Sequence, residues 1–286
     1  MQTQVEEKNG VVYITATASG GEVKLAVEDG MHAFMNESGM QIPIDTDPAL
    51  KQKMIESIGN DAIGEAVRES VLDCLAPFAL TDAGVIPGMM PEVKSDENPV
   101  PGEPFTFTVE VVPRPEFELN SYHEVSVTCK REEGDSDEEY EQQKISAVTG
   151  VWASRLDRDV SPAMWRSFTD RSIQDFVKQL AAQGMTVDQF CEEQNTTREQ
   201  MHYIMDANAH AALLSSLAMD ALVRHYKIKP DKDDERRAAL MLVPNADAEW
   251  AIQHLHDTGR SYLLKENAER LAATKWAMAH ATITEV

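Results

Sequence analysis

Past Arg131 the sequence loses almost all strand signal, and that loss is what most limits the fold. Before it, short β-rich runs alternate with helical ones. After it, apolar residues recur almost entirely at three- and four-residue spacing. A chain whose strands are confined to its first part builds an α+β domain there and packs helix on helix afterwards. At 286 residues there is room for both. The sequence thus reads as an α+β domain over 1–130, then a linker helix and an all-α domain over 131–286.

The strands of the first part are legible one by one. Asn9-Gly10 is a hairpin turn between two short strands, the second being Val11 to Ala18. The clearest strand is Phe105 to Val112, whose Phe105, Phe107, Val109 and Val111 share one face by period-two spacing. Pro113 and Pro115 end it, a short strand near 91–95 precedes it, and Tyr122 to Lys130 reads as extended. Between the hairpin and the Pro-rich stretch 81–104, the periodicity predicts a helix over about 21–36. A second helical region covers about 47–80, jointed at Gly59-Asn60.

The second part is punctuated by helix caps. After the acidic connector 132–139, a helix is predicted from about Glu138 to Arg155. Ser161-Pro162 supplies an N-cap and a first-turn proline for the next, which Gly184 closes. Thr186-Val187-Asp188-Gln189 and Thr197-Arg198-Glu199-Gln200 both fit the reciprocal capping pattern. They start a short helix and then a long one reaching about Tyr226. Helices at about 232–241, 246–257 and 261–280 complete the reading.

Charge and motifs narrow the function by exclusion. A formal net charge of −23 repels phosphate backbones and anionic lipids, so direct DNA binding and membrane-surface binding are not expected. Both parts are acidic, with 8 basic and 22 acidic residues up to Lys130 and 18 and 27 beyond it. The N-terminus has no signal-peptide pattern and no stretch is long and apolar enough to span a bilayer. Three well-separated cysteines, Cys74, Cys129 and Cys191, read as reduced thiols in a cytoplasmic protein. His254 and His256 would point to opposite sides of a helix, and His202 and His210 lack a third ligand, so no metal or other cofactor is expected. No P-loop, dinucleotide fingerprint or nucleophile elbow occurs, and the chain does not read as an enzyme. The 14 methionines fit two roles, as core filler or as adaptable side chains on a surface that takes many partners.

Longer motifs carry a resemblance. Gly102-Glu103-Pro104-Phe105-Thr106-Phe107-Thr108-Val109-Glu110-Val111, followed by Pro113-Arg114-Pro115-Glu116-Phe117-Glu118-Leu119, is similar to the end of the N-terminal domain of the trigger factor family of ribosome-associated chaperones. Val160-Ser161-Pro162 and Ala182-Gln183-Gly184-Met185-Thr186-Val187-Asp188-Gln189-Phe190 resemble the start of that family's C-terminal domain. The last helix, through Lys265-Glu266 to Ala281-Thr282-Ile283-Thr284-Glu285, resembles its closing segment. The resemblance implies a ribosome-binding-like α+β domain followed by a chaperone domain with helical arms, and it covers nearly the whole chain.

Two departures from the family pattern shape the expected function. The family's prolyl-isomerase domain has no room between Arg155 and Val160, so isomerase activity is not expected. The family's ribosome-docking loop reads Gly39-Met40-Gln41-Ile42-Pro43 here, with no cation until Lys51, so ribosome contact is expected to be weak. What the resemblance leaves is an ATP-independent, holdase-like chaperone for exposed apolar segments of unfolded or nascent polypeptides. Its binding residues are expected among Met164, Trp165, Phe168, Phe176, Met201, Tyr203, Met205 and Met219. Taken singly, each of these fits packing of helix against helix better, and the expectation is that several of them stay exposed. The alternative is an adaptor or structural module that holds one folded partner.

Overall fold

The computed structural model describes residues 1–37 and 60–286, and side chains outside 31–67. Its chain forms two compact units, one of 1–114 with 249–264 and one of 115–248 with 265–286. The sequence-read boundary at 130 differs from this division in two places: 115–130 lies in the second unit and 249–264 in the first.

The first unit is a helix-covered antiparallel sheet. Strands β1 (Gln2–Lys8) and β2 (Val11–Ala18) form the hairpin, with Asn9 and Gly10 both at positive φ in its turn. Strand β2 also pairs with β4 (Phe105–Val111), and β3 (Glu92–Lys94) closes the order β1-β2-β4-β3. Alternation then sends Val12, Ile14, Ala16 and Ala18 to the same face as Phe105, Phe107, Val109 and Val111. Helices α1 (Gly20–Glu37) and α2 (Asn60–Ala83) cover that face with Val23, Val71, Leu75 and Ala79, all buried. Glycine is required at Gly20, where a Cβ would sit 2.1 Å from the Gly102 carbonyl oxygen. Thr81 fastens the returning segment 249–264 by donating its hydroxyl to the Gly259 carbonyl at 2.6 Å.

The second unit is mostly helical: α3 (Asp137–Ala153), α4 (Pro162–Ala182), α5 (Val187–Glu193), α6 (Arg198–Tyr226) and α7 (Lys232–Leu242) follow in order. Helix α8 (Ala248–Asp257) lies in the returning segment of the first unit, and most of α9 (Ser261–Ala279) is back in the second. Trp152 and Val148 of α3, Ala218 and Leu222 of α6, and Ala273 and Ala277 of α9 form the body of its core. Arg270 of α9 clamps α6 with two hydrogen bonds to Asp220, both 2.8 Å, and reaches Glu266 on its own helix at 2.5 Å.

An all-α second part is corrected by one strand. Strand β6 (Ala281–Glu285) pairs in parallel with β5 (Val125–Cys129), from Val125 against Ala281 to Cys129 against Glu285. Five residues give too little periodicity to register as a strand, and the partner lies far upstream, so no local signal announces the pair. Eight residues, 154–161, separate α3 from α4, so no further domain intervenes there.

Among the described residues no helix is long and apolar enough to cross a membrane. None of their histidines, cysteines, aspartates and glutamates form a group of three placed to hold a metal ion. Cys129 and Cys191 are buried free thiols and Cys74 is half-buried. Burial, and after it the nearby Asp29 carboxylate, push the Cys74 thiol above its ordinary range, so it stays protonated at neutral pH.

Candidate functional site

The site is built where α4, α5 and the first turns of α6 meet, and three local devices set their directions. Ser161 caps α4 by accepting from the Met164 amide at 3.2 Å, with Pro162 in the first turn. Gly184 ends that helix at φ +71°, and the Met185 amide bonds back to the Leu180 carbonyl at 2.9 Å. Thr186 and Gln189 then cap α5 reciprocally at 2.8 and 3.3 Å, and Thr197 and Gln200 do the same for α6 at 3.0 and 3.1 Å. Between them Asn195 takes the left-handed conformation at φ +50° that turns α5 into α6.

Side chains then fix the three helices against one another. The Arg198 guanidinium of α6 donates to both Asp188 oxygens of α5, at 2.5 and 2.7 Å. These bonds hold the Asp188 carboxyl below the usual aspartate range. Phe190 of α5 meets Phe176 of α4 edge to face, with ring centres 5.1 Å apart. The buried Cys191 thiol touches the Met201 thioether at 3.9 Å. Farther along, Trp165 of α4 stacks on His210 of α6 at 4.0 Å, and the Thr169 hydroxyl donates to Asp206 at 3.0 Å.

What these contacts leave open is a groove of about 930 Å³. Phe176, Phe190, Met201, Tyr203, Ile204 and Met205 line its apolar part. The polar part is supplied by Gln194, Asn195, Thr196, Thr197, Glu199 and Gln200. Tyr203 is 77% exposed and Ile204 53%, values that a helix packed on both sides would not leave. Nothing in the groove pairs a nucleophile with a base or gathers metal ligands, so its chemistry is that of apolar contact and hydrogen bonding.

Of the eight side chains expected to bind polypeptide, the structure brings four to this groove: Phe176, Met201, Tyr203 and Met205. Met201 is itself buried and forms part of the floor. Trp165 and Phe168 are half-buried on α4 outside the lining, and Met164 is buried near the α4 cap. Met219 is only 2% exposed and belongs to the core of the unit. Gly39, Met40, Gln41, Ile42 and Pro43 lie outside the described residues. Phe190 and Ile204 line the groove without having been singled out in the sequence. Ile204 follows Met201 by three positions, which was the available signal.

Comparison with known proteins places both parts of the chain. Residues 46–146 match the family described as bacterial trigger factor protein, and residues 128–277, more than half of the chain, match the bacterial trigger factor C-terminus. The trigger factor of Clostridium beijerinckii is 25% identical over 125 residues, which are 43% of this chain and 29% of that protein. The chain thus spans under a third of that relative's length. A solved structure described as promiscuous substrate recognition in folding and assembly activities of the trigger factor chaperone aligns over 98% of this chain and 99% of its own. The identity there is 10% and the TM-score 0.35.

Proposed function

The chain belongs to the bacterial trigger factor family, and on that premise we propose that it works as an ATP-independent, holdase-type chaperone for unfolded or nascent polypeptides. The observation that carries this reading is the groove where α4, α5 and α6 meet, with Tyr203 and Ile204 exposed beside it. Large apolar side chains left in water at a concave surface favour taking up apolar segments of other chains. Met201 and Met205 suit varied segments, because an unbranched thioether chain repacks at little strain. The residues proposed to touch the client are Phe176, Phe190, Tyr203, Ile204 and Met205, over the Met201 floor.

The division of labour proposed is a ribosome-docking-type module over 1–130 and a chaperone part over 131–286. Ribosome contact is proposed to be weak, because Gly39 to Pro43 carries no cation to meet RNA phosphate. The proposed working compartment is the cytoplasm, and no catalytic step is assigned. A dedicated adaptor would need one folded partner, and nothing in the groove favours that reading.

Light scattering tests the proposal. An aggregation-prone protein is unfolded chemically and diluted into buffer with the chain or with an inert acidic protein. Suppression by near-stoichiometric chain alone is expected for several unrelated clients. Unchanged scattering across all of them overturns the holdase reading.

A further inference from the structure

Within the first unit the apolar face of the sheet runs out at an open edge. One row crosses the four strands on the face that the helices cover: Val93 pairs with Val109, Val109 with Ile14, and Ile14 with Val5. Ile14 and Val109 are buried and Val93 is half-buried, but Val5 at the end of the row is 53% exposed. The order β1-β2-β4-β3 leaves β1 with one neighbouring strand, and among the described residues no backbone group pairs with its outer side. The edge lacks the usual guards, because β1 has seven residues, no proline and an unbroken register with β2 from Gln2 to Lys8.

The hairpin decides which backbone groups face outward. Around a two-residue turn with both residues at positive φ, the flanking pair Lys8 and Val11 is the hydrogen-bonded kind. Alternation from there bonds Glu6, Gln4 and Gln2 to β2 and turns the N–H and C=O of Glu7, Val5 and Thr3 away from it. The same three residues carry their side chains on the helix-covered face, since Val5 stands opposite the buried Ile14. Free strand hydrogen-bonding groups and the unfinished apolar row therefore coincide at Val5.

We infer that the β1 edge pairs with the β1 edge of a second copy of this chain, the two strands running antiparallel about a two-fold axis at Val5. In that register Val5 meets Val5, Thr3 meets Glu7, Gln4 meets Glu6 and Gln2 meets Lys8, so no charge stands directly opposite its like. Glu6 is already held by Lys8 of its own strand at 2.8 Å. Every outward N–H and C=O of Thr3, Val5 and Glu7 gains a partner, and the apolar row continues from Ile14 through both Val5 side chains into the second copy. Charge rules out the nearest alternatives. A parallel pair in register would set Glu6, Glu7 and Lys8 each against itself, and an antiparallel pair centred on Glu7 would set Glu7 against Glu7. The contact is small and a net charge of −23 on each copy opposes it, so the association is weak and strengthens as salt screens the charge. It goes beyond the chaperone reading and does not depend on it.

Sedimentation velocity and amide-resolved hydrogen exchange test this on the full chain. The mass should rise from that of one chain toward that of two as concentration climbs to about 1 mM, and should do so earlier in high salt. Exchange at Thr3, Val5 and Glu7 should slow with that rise, whereas Gln4 and Glu6, already bonded to β2, stay unchanged. Val5→Pro removes the central N–H, which faces water in the single chain, and should weaken association at least about tenfold. Val5→Lys sets two ammonium groups face to face without altering the backbone and should weaken it as well, so a folding defect in the proline variant does not decide the outcome. A chain that stays single at about 1 mM overturns the inference. So does a dimer that Val5→Lys retains undiminished, or one that leaves exchange at Thr3, Val5 and Glu7 unchanged.

Discussion

Helix α6 is one continuous rod of 29 residues with two differently employed halves. Its C-terminal half presents Leu213, Leu217, Ala218, Met219, Ala221 and Leu222 to neighbours that bury each of them to 2% exposure or less. Its N-terminal half buries Met201 and Ala209 but leaves Tyr203 and Ile204 mostly in water. Composition does not separate the halves, since both are rich in apolar residues. The number of partners does: α3, α9, β5 and β6 share the core with the C-terminal half, whereas α4 and the short α5 accompany the N-terminal one. An apolar residue on a helix becomes core or contact surface according to how many elements surround it.

The sharpest way to break this contrast is to truncate matched apolar residues in the two halves. Leu217→Ala, in the buried half, is expected to lower stability by about 2–5 kcal/mol in urea unfolding, through lost burial and the cavity left behind. An effect under about 1 kcal/mol would mean that this half is not packed as described. Next in size is the cap that aims the exposed half. Thr197→Ala removes the acceptor for the Gln200 amide and should cost about 1 kcal/mol, with hydrogen exchange quickening in the first turn of α6. Smaller still is Tyr203→Ser, for which a stability change within about 0.5 kcal/mol is expected alongside weaker suppression of client aggregation. A large loss of stability there would turn the proposed contact surface into core.

The smallest expected effect concerns pH. Hydrogen bonds from Arg198 depress the Asp188 carboxyl, so the α5–α6 clamp contributes above the ordinary aspartate range and is lost as pH falls through the depressed value. Both groups are exposed, so solvent screens the pair and its contribution is small. Thermal melts of the chain and Arg198→Met should differ slightly at neutral pH and converge in strong acid. A difference that grows on acidification contradicts the assignment.

How much of this was legible in the sequence follows from the range of each interaction. The caps at Ser161, Thr186 and Thr197 were readable because an N-cap bond spans only three residues. The inward face of β4 was readable because alternation is a local property of the strand. The parallel pairing of β5 with β6 was not, nor was the return of 249–264 to the first unit, since both depend on contacts between distant segments. The same limit governed the candidate site. Met205 and Met219 are equally apolar on one helix, and only tertiary packing, of α4 and α5 around the first and of α3 and α9 around the second, sends one to the groove and the other to the core. Phe190 is legible in the sequence only as the end of a family motif, because its place in a short capped helix gives no hint of Phe176 opposite.

The most direct test of the claim that clients sit in the groove is site-specific photo-crosslinking. Benzoylphenylalanine is placed at Ile204, beside the groove, or at Leu25, which is 65% exposed in the first unit, and each protein is illuminated with a chemically unfolded client. The account predicts client adducts from position 204, competed by excess unlabelled unfolded protein, and few or none from position 25. Equal adducts from both positions, or adducts from position 25 alone, would contradict it.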